Sequence, residues 1–144
     1  MDNPKLVPEL LCSDISVSLN FYIGILGFHI SFERPEDRFA YLDIDGAHLM
    51  LEQATEELGQ DRTWWTAKPE QPYGRGINLQ IEVANVLRLY KSLQKSRYPL
   101  YRTIEEKWYR KDVIETGQRQ FLVQDPDGYL LRFCTDIGER PIAS

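Results

Sequence analysis

Apolar and polar residues follow two different rhythms along this chain, and the places where one rhythm gives way to the other mark its elements. From Lys5 to Asp14, Leu6, Val7, Leu10, Leu11 and Cys12 form a short apolar run that predicts a strand ending at Asp14. Beyond it, Ile15, Leu19, Tyr22, Ile23 and Leu26 recur at helical spacing, which predicts one helix of about three turns. Asp14 and Ser16 both offer an oxygen to cap its start, and Gly27 suits its end. Three strands follow. In the first, Phe28, Ile30 and Phe32 alternate toward one face; "RFAYLDI" is the second, and "AHLMLEQ" is the third, after a tight Asp45-Gly46 turn.

The second half repeats this order. In "INLQIEV", Ile77, Leu79, Ile81 and Val83 alternate with Asn78, Gln80 and Glu82. Val86, Leu89, Tyr90 and Leu93 then mark a helix whose C-terminal end is basic, as the helix dipole favours. "LYRTIEE" and the hairpin "RQFLVQDPDGYLLRF" complete the unit. Matching Phe39–Gly46 with Phe121–Gly128 superimposes a phenylalanine, two aspartates and a glycine at an offset of 82 residues. The chain therefore reads as a duplicated β-α-β-β-β unit, class α+β: residues 5–53, a connector at 54–75, and residues 76–135, all in one domain spanning 1–144.

Two segments exceed the repeat. "EEKWYRKDVIETG" lengthens the second unit as a loop or a strand extension. The connector carries Trp64 and Trp65, whose apolar area must be covered by the body, a partner subunit or a ligand.

Composition narrows the function classes. Hydrophobic residues make up 42% and charged residues 27%, as in a soluble globular domain. No apolar run is long enough to span a bilayer, and the amino terminus lacks a signal peptide's basic start and apolar block, so the expectation is a cytoplasmic protein with no membrane partner. A net charge of -5 argues against nucleic acid. Cys12 and Cys134 each sit within an apolar run, and the expectation is buried free thiols, Cys12 on the helix-packed face.

The duplicated unit, the "SLNFY" of the first helix and the closing "DPDGYLLRF" together resemble the vicinal oxygen chelate superfamily, which contains glyoxalase I, extradiol dioxygenases, fosfomycin-modifying enzymes and the bleomycin resistance proteins. The resemblance runs from about Leu6 to Phe133. It implies two half-barrel sheets with helices on the convex side, a ligand cavity on the concave side, and a homodimer with the cavity near the pairing surface.

In metal-dependent members the first and last strands of each unit supply ligands, and the corresponding positions here are placed at Val7, Glu52, Asn78 and Arg132. Valine has no donor atom, a guanidinium offers only N–H groups, and Asn78 is a weak ligand, so no metal cofactor is expected. His48, Met50 and Glu52 share one face by period-two alternation; His29 lies on another strand. Arg132 needs a partner in a concave pocket, and Glu52 is the expected one, unless the guanidinium reads an anionic ligand group.

With no nucleophile constellation in view, no catalytic residue is assigned. The leading expectation is a binding protein of the bleomycin-resistance type, to which the resemblance is closest, sequestering an antibiotic or similar small molecule in a metal-free groove near the dimer interface. The ligand-binding candidates are Phe39, Tyr41, Glu52, Trp64, Trp65, Asn78, Trp108, Tyr109 and Arg132. Tyr73 adds an aromatic face, and Glu82, Glu105, Glu106 and Glu115 add acidic partners suited to a cation. Lys107, Arg110, Lys111, Arg75 and Arg119 would instead suit an anion. Bleomycin resistance proteins carry a tryptophan before the glycine leading into the seventh strand, where this chain has Thr116 before Gly117. The competing reading is a divergent enzyme of the same superfamily that uses Glu52 and His48 on a metal, or Glu52 as a general base; a third is a homodimeric module without a ligand.

Overall fold

The structure, a computed structural model, describes residues 4–54 and 65–143. Its elements, in chain order, are β1 (Glu9–Cys12), α1 (Ile15–Leu19), β2 (His29–Arg34), β3 (Phe39–Ile44), β4 (Ala47–Gln53), β5 (Asn78–Glu82), α2 (Val86–Lys95), β6 (Arg102–Lys111), β7 (Ile114–Gln124) and β8 (Leu130–Pro141). They build two four-stranded mixed sheets with the same order, β1-β4-β3-β2 and β5-β8-β7-β6, each with one parallel pair, β1 with β4 and β5 with β8. The α+β duplication read from the sequence is the fold observed.

The first helix departs from the expected single α-helix. Asp14 caps α1, its carboxylate accepting from the Ser16 and Val17 amides. After Leu19 the chain widens into a π-helical turn over Asn20–Ile25, which carries the buried Phe21 and Tyr22. Gly27 follows at φ +88° and ends the segment.

Ile30 and Phe32 do not share a face. Ile30 lies opposite Leu42 while Phe32 lies opposite Tyr41, because the ladder between β2 and β3 slips by one residue between them. A bulge breaks period-two alternation, and this one puts the two side chains on opposite sides of the sheet.

The repeat offset also changes along the chain. Phe39 is paired with Glu52 and Ala40 with Leu51, whereas Gln120 is paired with Cys134 and Phe121 with Phe133. With β4 and β8 aligned on Gly46 and Gly128, the structural counterpart of Phe39 is therefore Gln120, at an offset of 81, and that of Phe121 is the buried Ala40. The phenylalanines matched in sequence face opposite sides of their sheets. The cause is the turn: β3 and β4 join through Asp45-Gly46 alone, while β7 and β8 are separated by residues 125–129.

One core holds both units. Leu42, Leu49 and Leu51 from the first sheet and Phe121, Val123, Leu131 and Phe133 from the second join Phe21, Tyr22, Leu26, Leu89 and Leu93 from the helical segments. Phe28 and Phe133 meet edge to face at 6.3 Å. Cys12 and Cys134 are buried free thiols, and Cys12, close to the helical Ser18, has its pKa pushed up to about 12, chiefly by burial.

The D-P-D-G turn clamps the units together. The Asp125 carboxylate accepts from the Asp127 and Tyr129 amides and from the Tyr22 hydroxyl at 2.7 Å. Asp127 accepts from the Ser13 amide and hydroxyl at the end of β1 and from the Gln71 side chain. The long segment of the second unit is a strand extension: β6 and β7 continue to a tip at Asp112-Val113, and β8 runs beside β7 as far as Pro141.

Candidate functional site

Because the helix-side residues of both sheets enter the shared core, no other element among the described residues packs across the opposite face of either sheet. Alternation selects what those faces present. Leu49 and Leu51 point into the core, so His48, Met50 and Glu52 lie on the open face of β4 with Phe39 and Tyr41 from β3. Phe32 stacks on Tyr41 at 4.8 Å, the Tyr41 hydroxyl and His48 Nδ1 share a hydrogen bond at 2.7 Å, and the Arg34 guanidinium lies 4.0 Å over Phe39. Glu52 is held protonated to a higher pH than usual, first by burial and then by the neighbouring Glu9 carboxyl, with which it is hydrogen bonded.

The open face of the second sheet forms a cavity of about 350 Å³. Asn78 from β5, Leu130 and Arg132 from β8, Gln120 and Leu122 from β7, and Tyr109 from β6 line it. Arg102, Lys107 and Glu105 lie at its wall. The Gln120 amide nitrogen donates to the Tyr109 hydroxyl at 2.7 Å and to Glu105 at 3.4 Å. Two polar atoms here are buried and make no hydrogen bond: Arg132 Nε and Gln120 Oε1.

A larger opening of about 600 Å³ lies at the D-P-D-G turn, between Pro72, Tyr98 and Asp125. Its buried carboxylate already has three donors, so this space belongs to the joint between the units rather than to a ligand.

The sequence candidates thus fall into separate groups. Phe39, Tyr41 and Glu52 come together on the first sheet; Asn78, Tyr109 and Arg132 come together in the cavity of the second. Trp108 joins neither. It lies on the other side of β6 from Tyr109, directly across from Gly117 and beneath the Arg140 guanidinium at 4.1 Å, which is in turn bound to Glu115. A tryptophan thus does cover Gly117, from the adjacent strand. Trp65 is half-buried in the connector, and Trp64 lies outside the described residues.

The expected pair between Glu52 and Arg132 does not form. Glu52 sits between Leu11 and Phe39 in the first sheet, and Arg132 between Gln80 and Leu122 in the second. Among the described residues Arg132 has no ion-pair partner. Gln120 and Glu9 were missed by the sequence reading. The signal for Gln120 was present in the alternation of "RQFLV", which sets it on the opposite side of the strand from the buried Phe121.

A protein-family model for the glyoxalase/bleomycin resistance protein/dioxygenase superfamily matches residues 7–133. The chain belongs to this superfamily. A superfamily member from Vibrio splendidus 12B01 is 38% identical over 90% of this chain and 95% of its own, with a TM-score of 0.41. TioX from Micromonospora sp. ML1 is 20% identical over 93% of this chain and 99% of its own, TM-score 0.67, and a lactoylglutathione lyase from Agrobacterium tumefaciens is 13% identical over 94% and 95%, TM-score 0.61. The last two show the shared fold. No curated protein matches the chain.

Membership makes the metal question concrete, and the repeat register corrects one of the four positions. Arg132 lies four residues after Gly128 and is paired with Leu122; the residue four after Gly46, paired with Tyr41, is Met50, not Glu52. The symmetric set is Val7, Met50, Asn78 and Arg132, with no carboxylate or imidazole and one fixed positive charge. These residues do not fit a catalytic divalent metal. Elsewhere among the described residues no group of three or more His, Cys, Asp or Glu side chains is placed to hold one.

Proposed function

We propose that this superfamily member is a ligand-sequestering protein of the bleomycin-resistance type, which holds an antibiotic or similar small molecule without a metal and without turning it over. The observation that carries this reading is Arg132: a guanidinium occupies the floor of the second sheet's cavity where a metal-using relative needs a ligand. The first sheet supplies the complementary half, with Phe32, Phe39 and Tyr41 offering ring faces and Glu52 an acid group. Both open faces point away from the common core, so a closed groove takes one face from each of two copies, and the protein works as a homodimer.

The direct test is titration of EDTA-treated protein with metal-free and copper-loaded bleomycin, followed by tryptophan fluorescence. Saturable quenching unaffected by EDTA is expected. Absence of any response, or binding that requires added zinc, iron, manganese or nickel, refutes the reading.

A second reading has its own observation. Glu52, with its raised pKa beside Glu9 and on the same open face as the Tyr41–His48 pair, has the environment of a general acid or base. An enzyme working through it would lose turnover in Glu52→Gln while retaining ligand, whereas a sequestering protein shows no turnover in either form.

A further inference from the structure

The cavity on the second sheet is more specific than a generic apolar groove. We propose that it receives a planar oxyanion, a carboxylate carrying a hydroxyl or amino group on the adjacent carbon, with the carboxylate on Arg132 and the neighbouring donor on Gln120. This rests on the reading of the open sheet faces as the ligand surface and adds the chemical class of what they hold.

Three observations converge on it. Arg132 Nε is buried and unpaired, and a buried N–H without an acceptor costs free energy that an oxyanion would recover. Gln120, 3% exposed, leaves Oε1 buried and unpaired in the same cavity. Its orientation is set by its neighbours, because turning the amide over would aim Oε1 at the Glu105 carboxylate and lose the bond from Nε2 to that group. The side chains lining the cavity therefore include one unpaired donor and one unpaired acceptor, and a 2-hydroxy or 2-amino carboxylate is complementary to that pair. Finally, Arg102, Lys107 and Arg132 line the space against Glu105 alone, so its charge favours an anion. Tyr101, Tyr109, Leu122 and Leu130 provide room for an apolar or aromatic substituent, and 350 Å³ is a volume in the range of small-molecule sites.

The test is calorimetric titration of the intact protein with mandelate, which has a carboxylate, a 2-hydroxyl and a ring, alongside mandelamide and phenylacetate. Mandelate should bind roughly 10- to 100-fold more tightly than mandelamide, which lacks the charge, with phenylacetate in between. Arg132→Met should lose a similar factor and Arg132→Lys should recover part of it. Equal binding of mandelate and mandelamide, no binding of either, or mandelate binding unchanged in Arg132→Met overturns the proposal. Should the variants fail to fold, the three-ligand comparison on the unaltered protein decides it alone. Bleomycin titrated into the same sample separates the two readings: if bleomycin binds and mandelate does not, the carboxylate site falls while sequestration stands, and the reverse outcome removes the bleomycin assignment while keeping the site.

Discussion

Removing one buried hydroxyl should make the stability of this protein depend on pH in a particular way. Tyr22 is fully buried and donates to Asp125 at 2.7 Å, and Asp125 is 3% exposed. Burial pushes the Asp125 carboxyl up from its ordinary 3.8 to about 6, against the hydrogen bonds from Tyr22, Tyr129 and Asp127, which favour the charged form. For an acid whose folded pKa lies above its unfolded one, the associated stability is present in full below pH 3.8 and is lost as pH rises through 6; a shift of this size corresponds to about 3 kcal/mol. Tyr22→Phe leaves the carboxylate with only its two backbone donors, at a cost of about 1–3 kcal/mol where Asp125 is charged and less where it is protonated. Urea unfolding at pH 5 and pH 8 measures both arms. The destabilisation by Tyr22→Phe should be larger at pH 8, and Asp125→Asn, which preserves the turn's amide bonds without a charge, should flatten the pH dependence relative to the unaltered protein. Equal destabilisation at the two pH values, or an Asp125→Asn protein with unaltered pH dependence, would refute the assignment.

Two glycines test the packing around the joint and the long strands. At Gly128, φ is +103° and an added Cβ would fall 2.5 Å from Pro72 Cβ and 2.7 Å from its Cα, so Gly128→Ala should destabilise by about 3 kcal/mol or more, read as a lower urea midpoint. At Gly117 an added Cβ would sit 2.7 Å from the Trp108 ring; Gly117→Ala should cost about 1–3 kcal/mol and shift the tryptophan emission as the ring is displaced from beneath Arg140.

Much of this architecture is legible in local pattern, because a strand or helix must bury one side and the spacing of apolar residues records which. The two β-α-β-β-β units, the Asp14 cap, the Asp45-Gly46 turn and the burial of both cysteines all follow from residues near one another in the chain. The π-helical turn at Asn20–Ile25 does not; it carries Tyr22, whose partner Asp125 is in the other unit. Nor does the bulge between Ile30 and Phe32, or the unequal turns that shift the repeat by one residue. In a sheet a single residue of register exchanges the two faces, so an alignment by letters can be right about the strand and wrong about every side chain on it. That is why Phe121 lies in the core while Gln120 reaches the cavity, and why Met50 rather than Glu52 is the counterpart of Arg132. The sequence by itself determined the family, the duplication and the replacement of a metal-ligand position by an arginine. Which groups stand around that arginine, and that Glu52 is not among them, was decided only when pairing between distant strands assigned each side chain to a sheet and a face.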